Sequence, residues 1–238
     1  MKSQYLRTAM LLGTEAIEIL RRRHVAVFGL GGVGSYCVEA LARSGVGELT
    51  LVDHDVISET NINRQLQATL STVGNPKASE LQKRILDINP DCVVHVRQEF
   101  FNKENADSFF SCRYDYIVDA IDTVSCKLDL IQRAIEENIP IISSMGTGNK
   151  TDPTKFVFTD ISKTEFCPLA RIVRKELRNR GIINHRVLYS TEPARDPLPL
   201  EEPPPGRRSV PASAPWVPGC AGMMLAGDVI MSLIDQNN

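Results

Sequence analysis

The stretch Val25-Ala26-Val27-Phe28-Gly29-Leu30-Gly31-Gly32-Val33-Gly34 decides the fold. An apolar run rich in β-branched residues reads as a buried strand, the glycines as a turn, and 32–44 as the helix that follows. Glycines permit a tight turn and let backbone approach a phosphate, while the helix N-terminus offers unpaired N–H groups and the positive end of its dipole. A second strand ends at Asp53, nineteen residues beyond Gly34, where a carboxylate can accept hydrogen bonds from ribose hydroxyls. A glycine-rich turn alone is a common structural device. Strand, turn, helix and acid in this order point to a nucleotide site that includes Gly29, Gly31, Gly32, Gly34 and Asp53. The motif leaves the nucleotide open, because a dinucleotide dehydrogenase would use the same geometry.

Outward from this unit, short β-type runs alternate with longer helical ones, the mark of βαβ units and a largely parallel sheet. Strands are expected at 24–28, 48–52, 92–97, 114–118 and 140–143, with helices at 32–44, 76–89, 104–110 and 123–138. The fold class is α/β, a Rossmann-like, doubly wound, mostly parallel sheet. After residue 150 two further strands, 155–161 and 186–190, flank a basic helix at 168–180 and are expected to add antiparallel strands. Residues 193–218 hold nine prolines and read as an irregular, partly mobile loop before a last helix at 219–234. The domain reading is a single adenylation-type domain over 1–238: a helical segment at 1–22, a nucleotide-binding core at 24–150 and a substrate-facing part at 151–238.

Composition narrows the function. An apolar fraction of 42% and a charged fraction of 24% are ordinary globular values. The net charge of −2 argues against a chain that coats nucleic acid with its whole surface, while leaving room for a local basic patch. Six cysteines stand singly, with no C-x-x-C pair, so neither a structural zinc site nor a disulfide framework is suggested. No uninterrupted apolar run approaches the roughly 20 residues a bilayer span requires, and no secretory signal opens the chain. The expected location is the cytoplasm, with no membrane partner.

Beyond the second strand come Asp53-His54-Asp55, then Asn61-Ile62-Asn63-Arg64-Gln65, Gly74-Asn75-Pro76-Lys77 and, at the end of a later strand, Asp119-Ala120-Ile121-Asp122. A carboxylate attacking the α-phosphate of ATP passes through a crowded anionic transition state, which calls for fixed cations around the triphosphate. Arg64 and Lys77 suit that role, Asn61 that of a neutral donor, and Asp122 that of a Mg²⁺ ligand. Taken singly, Lys77 reads as a solvated helix-start charge and Asp122 as a helix cap; together they resemble the adenylation domain of the ubiquitin-activating superfamily. The resemblance implies ATP and Mg²⁺, held by the glycine turn with Asp53, Asp55, Asn61, Arg64, Lys77 and Asp122. The set Asn61, Arg64 and Lys77 would have no purpose in a dehydrogenase. The opening Tyr5–Gly13 segment is similar to the superfamily's leading helix, which implies that Arg7 reaches the ATP of a partner subunit in a homodimer.

The second half selects a branch. Ile142-Ser-Ser-Met-Gly146-Thr-Gly148-Asn149-Lys150-Thr-Asp-Pro153, Asp160–Thr164, Cys167-Pro-Leu-Ala-Arg171 and Val187–Glu192 resemble the tRNA threonylcarbamoyladenosine dehydratase family. That resemblance implies ATP-dependent activation of the carboxylate of a threonylcarbamoyl group on a tRNA adenosine, then cyclisation with loss of AMP. A sulfur-trafficking protein is a further possible partner. Consistent with tRNA, residues 163–186 carry seven basic side chains against two acids, and Arg171, Arg174, Lys175 and Arg178 share one helix face; with Lys163 they form the tRNA-binding candidates. The plain alternative is a solvated helix face. Cys167 is read as a packing residue, since cyclisation within the substrate needs no enzyme thioester, and Cys37 and Cys126 as core residues. Two other functions stay open: adenylation of a sulfur-carrier protein's C-terminus, and a non-catalytic nucleotide-binding scaffold.

Overall fold

Alternation along the first strand sorts the whole molecule into layers. Val25 and Val27 point to one face of the sheet and Ala26 and Phe28 to the other, as the twofold period of a strand requires, and all four are fully buried. A strand buried on both faces needs helices on both sides, and the computed structural model, which describes residues 2–200, 202 and 210–235, supplies them.

The elements run α1 (Leu6–Leu12), α2 (Thr14–Leu20), β1 (His24–Phe28), α3 (Gly34–Arg43), β2 (Glu48–Val52), α4 (Lys77–Ile88), β3 (Val93–Arg97), α5 (Ala106–Phe109), β4 (Tyr116–Asp119), α6 (Val124–Glu136), β5 (Ile141–Ser144), β6 (Phe156–Asp160), α7 (Pro168–Asn179), β7 (Arg186–Ser190) and α8 (Trp216–Asp235). Seven strands form one sheet in the order β3-β2-β1-β4-β5-β7-β6. Helices α3, α4 and α8 cover the face of Val25 and Val27, and α5, α6 and α7 the face of Phe28. The chain winds outward from β1 to β3, then returns to lay β4 on the other side of β1, so strand order reverses between β1 and β4. In open α/β sheets ligands bind at such a switch point, outside the carboxyl ends of the strands.

The doubly wound sheet and its antiparallel addition in the C-terminal half agree with the sequence reading, and two helix boundaries correct it. β6 and β7 form the antiparallel pair, and β7 runs parallel to β5, because the segment containing α7 carries the chain back before β7 begins. The one-turn α5 is much shorter than 104–110. Helix α8 starts at Trp216, inside the stretch read as loop, because a proline in the first turn loses no hydrogen bond and Pro218 is the third helical residue. This helix is also long and apolar enough, by length and composition, to cross a membrane, although Gly and Asp228 break up its apolar run. Most of its surface lies inside the protein, with Val217, Ala221, Leu225, Ala226, Val229 and Leu233 fully buried, as expected of a core helix. Of the expected mobile loop 193–218, residues 201 and 203–209 lie outside the described residues. Its flanks are pinned by Asn149, which exchanges backbone bonds with Ala212 and Arg195.

Candidate active site

The glycine turn folds tightly against itself and against the end of β4. Gly29 has a φ of +86°, and a Cβ there would sit 2.7 Å from the Ala120 carbonyl oxygen. A Cβ on Gly34 would come within 1.8 Å of the Gly29 oxygen. Gly31 differs: nothing lies closer than 3.9 Å to its Cβ position, so the outer side of the turn is open. Helix α3 starts without a side-chain cap, and the N–H groups of Gly31, Gly32 and Val33 donate to no group among the described residues. Unpaired amides at a helix N-terminus with open space in front of them fit a phosphate chain.

The end of β2 is stitched to this turn. Asp53 accepts from Leu30 N at 2.7 Å and from Asp55 N at 2.8 Å, one bond per oxygen, which leaves each oxygen a lone pair for a ribose hydroxyl. The Lys77 ammonium lies 2.6 Å from Asp55 Oδ2, with its side chain 7% exposed against 49% for the acid. Lys77 is therefore not the solvated helix-start charge that its position suggests: the Val56–Pro76 bridge and the Lys77 N to Asp55 O bond fold the first residue of α4 back onto the loop after β2. Pro76 is the N-cap of α4 rather than part of its first turn.

Loop 58–67 closes the next side. Asn61 Oδ1 accepts from Ser58 N at 3.1 Å in a capping box, so its amide nitrogen is the end left to donate. The Arg64 carbonyl oxygen packs 3.3 Å from the Cβ position of Gly32, while its guanidinium donates to Thr60 O at 2.9 Å and Asn63 Oδ1 at 2.8 Å. Buried Gln67 donates to Leu30 O at 2.8 Å and ties the loop to the glycine turn.

At the end of β4 the structure adds Lys127, which the sequence reading missed, and gives Asp119, quoted there only as part of the strand-end motif, a partner. Asp119 and Lys127, both with fully buried side chains, pair at 2.6 Å. Asp119 Oδ1 also accepts from Ile121 N at 3.1 Å, and Lys127 donates to Ser144 O at 3.1 Å. One ion pair thus fixes the turn that carries Asp122, which is exposed, and joins β4 to β5. The signal was present: Lys127 lies in register with Leu130, Ile131 and Ala134 on the buried stripe of α6, where an unpaired lysine would be prohibitively costly. Close by, His185 Nε2 meets Ser143 Oγ at 2.7 Å, and burial together with the Lys127 charge pushes the His185 pKa down to about 3.

The segments that single out the second half converge beside these strand ends. The Gly146 Cβ position is 3.5 Å from Cys167 Sγ and that of Gly148 is 2.9 Å from Pro211. Buried Lys150 donates to the Glu192 carbonyl, and burial lowers its pKa. The Glu192 carboxylate accepts from Thr151 N and Asp152 N; these bonds outweigh the cost of desolvation and hold its pKa down. Cys167 is buried at the N-terminus of α7, where its sulfur accepts from Ala170 N, and Cys37 and Cys126 are buried in the core.

The basic stripe is only partly free. Lys163, Arg171, Lys175 and Arg178 are exposed, but Arg174 donates to Thr164 O and Oγ1 at 2.5 and 2.6 Å. Arg180 and Arg186 are taken up by Asp129 and Asp228, so the local positive excess is smaller than the sequence count. Arg7 is exposed on α1 and forms no ion pair among the described residues; beside it Leu6, Met10 and Leu11 are 49%, 73% and 82% exposed.

A doubly wound sheet with an open glycine turn at its switch point, stitched to Asp53 at the end of the second strand, defines a nucleotide-binding α/β protein. The ThiF family model matches residues 5–238. The chain is 43% identical to the tRNA threonylcarbamoyladenosine dehydratase of Bacillus subtilis, over 98% of this chain and 96% of the relative. Among solved structures it resembles the Escherichia coli dehydratase TcdA in complex with AMP, with a TM-score of 0.89, 33% identity and coverage of 98% of this chain and 95% of that one. The ATP complex of the same protein matches with a TM-score of 0.86. The chain belongs to the ThiF family and, within it, to the tRNA threonylcarbamoyladenosine dehydratases.

Proposed function

We propose that this chain carries out the ATP-dependent dehydration of threonylcarbamoyladenosine in tRNA, with the side chains around the glycine turn as its machinery. A substrate carboxylate oxygen attacks the α-phosphorus of ATP and pyrophosphate leaves, giving an acyl adenylate. A second atom of the same threonylcarbamoyl group then attacks the activated carbonyl and AMP leaves, so the group closes into a ring and the net change is loss of one water. The observation that carries this reading is the full-length likeness to the dehydratases together with an intact, open phosphate turn.

In this reading the N–H groups of Gly31, Gly32 and Val33 hold phosphate oxygens, and Asp53, with Asp55 beside it, orients the ribose. Arg64, Lys77 and Asn61 offset the charge that builds up on the transferring phosphoryl group. Asp122 is the group suited to Mg²⁺, which would neutralise the departing pyrophosphate. Lys163, Arg171, Lys175 and Arg178 face the tRNA backbone, with Arg174 holding the start of α7 rather than touching phosphate. Arg7, with the apolar side of α1, serves the site of a second copy in a homodimer; a sulfur-trafficking partner and a cytoplasmic location complete the proposal.

The test is mass spectrometry of tRNA nucleosides after incubation with the protein and ATP. Loss of the mass of one water from threonylcarbamoyladenosine, with AMP and pyrophosphate formed in step, is the expected result. ATP bound but not consumed, or turnover stimulated by a carrier protein instead of tRNA, would overturn it. Mixing inactive Arg7→Ala with inactive Asp122→Ala protein should restore activity if Arg7 acts across subunits.

A further inference from the structure

The other end of the sheet, away from the glycine turn, carries a second cluster of chemical groups. His24 opens β1, Glu48 opens β2, and His95 is the third residue of β3; His24 pairs with Glu48 in register, and Glu48 with Val93, two residues before His95. All three side chains therefore project from the same face. Glu48 Oε1 lies 3.4 Å from His24 Nδ1 and 2.8 Å from His95 Nε2, and one ligand atom from each of the three residues lies within 4.8 Å of the other two.

A hydrogen bond orients the His24 ring. Thr50 Oγ1 lies 2.8 Å from His24 Nε2 and can accept its N–H. In the tautomer with the proton on Nε2, Nδ1 faces Glu48 with a lone pair. Electron-rich atoms that converge in this way, with a hydrogen bond behind the imidazole fixing its orientation, are what a metal ligand set requires.

We propose that His24 Nδ1, Glu48 Oε1 and His95 Nε2 form a zinc-type site that clips β1, β2 and β3 together. Bonds of about 2.0–2.2 Å to a tetrahedral Zn²⁺ place ligand atoms roughly 3.3–3.5 Å apart. The His24–Glu48 spacing already meets this, and the His95–Glu48 hydrogen bond has to open by about half an ångström. Two imidazoles and one carboxylate suit Zn²⁺ or Co²⁺ better than Mg²⁺ or Ca²⁺. Glu48 and His95 are half-exposed, so water can take the fourth position. The site lies across the sheet from the phosphate turn, so it does not depend on the dehydratase reading.

The experiment is titration of the purified full chain with Co²⁺, read by visible absorption, and with Zn²⁺, read by calorimetry. One equivalent with tetrahedral Co²⁺ bands is expected. His95→Ala or Glu48→Gln, both near the surface, should weaken binding by more than about tenfold while tRNA dehydration stays at the wild-type rate. The control is His54→Ala, because Asp53, His54 and Asp55 also bring ligand atoms together. Binding lost in His54→Ala but kept in His95→Ala, or no binding by the wild-type chain, overturns the site.

Discussion

β2 and β4 end alike and behave differently. Each closes on an acid that turns inward to accept backbone N–H groups, Asp53 and Asp119, and each follows it with a second acid, Asp55 and Asp122, further out along the turn. Each also brings a lysine to 2.6 Å from a carboxylate. At β4 the pair is fully buried and holds two strand ends together; at β2 the lysine is buried but its acid is half in water. A buried pair has no alternative partner and acts as a fixture. A half-open pair can exchange one partner, so in the proposed mechanism Lys77 can leave Asp55 for a phosphate oxygen without stranding a charge.

That contrast breaks most directly at Lys127. Lys127→Met leaves Asp119 charged and alone in the core and should cost about 3–5 kcal/mol in chemical denaturation, while Asp119→Leu with Lys127→Leu should recover most of the loss. Lys77→Ala or Arg64→Ala should instead leave the denaturation midpoint nearly unchanged and lower kcat/KM for tRNA dehydration by roughly 100- to 1,000-fold, the usual effect of removing a transition-state donor. If Lys77→Ala unfolds the protein and Lys127→Met does not, the two roles are reversed.

A smaller effect reads out the β4 side through pH. His185 has a folded pKa of about 3, against about 6.5 for an unperturbed histidine, so between these values the unfolded chain binds a proton that the folded chain does not. Its contribution to stability is complete above the unfolded value and is lost as pH falls, by up to about 1.4 kcal/mol per pH unit. His185→Gln should flatten this part of a stability–pH curve. The smallest effect belongs to α7: Arg178→Ala should weaken tRNA binding modestly and lower the salt slope of log K by about one, whereas Arg174→Ala should act on stability through Thr164.

The sequence made the frame of the sheet legible because strands and helices there are set by local periodicity and by a glycine turn whose chemistry is local too. It was less exact at β7, whose parallel pairing with β5 is made across some forty intervening residues, and at the start of α8, where Pro218 hides the first helical turn. Of the proposed site, Asp53, Asn61, Arg64, Lys77 and Asp122 stand in recognisable spacing in the sequence. The Asp119–Lys127 pair went unread because its members sit on different elements: the apolar stripe of α6 shows that Lys127 needs a partner but not which one. The engagement of the Arg174 side chain was hidden for the same reason: exposure is a property of the fold, and Thr164 reaches it through space.

One contact has a consequence for how the protein is made. Helix α8 lies against the first turns of α3 so closely that a Cβ on Gly222 would sit 2.2 Å from the Val33 oxygen, and Pro218 packs on Gly32. The support for the phosphate turn is therefore synthesised some 190 residues after the turn itself. A nascent chain emerging from the ribosome carries the nucleotide motif early but lacks its backing, so a prematurely terminated product is expected to be inert toward ATP rather than partly active.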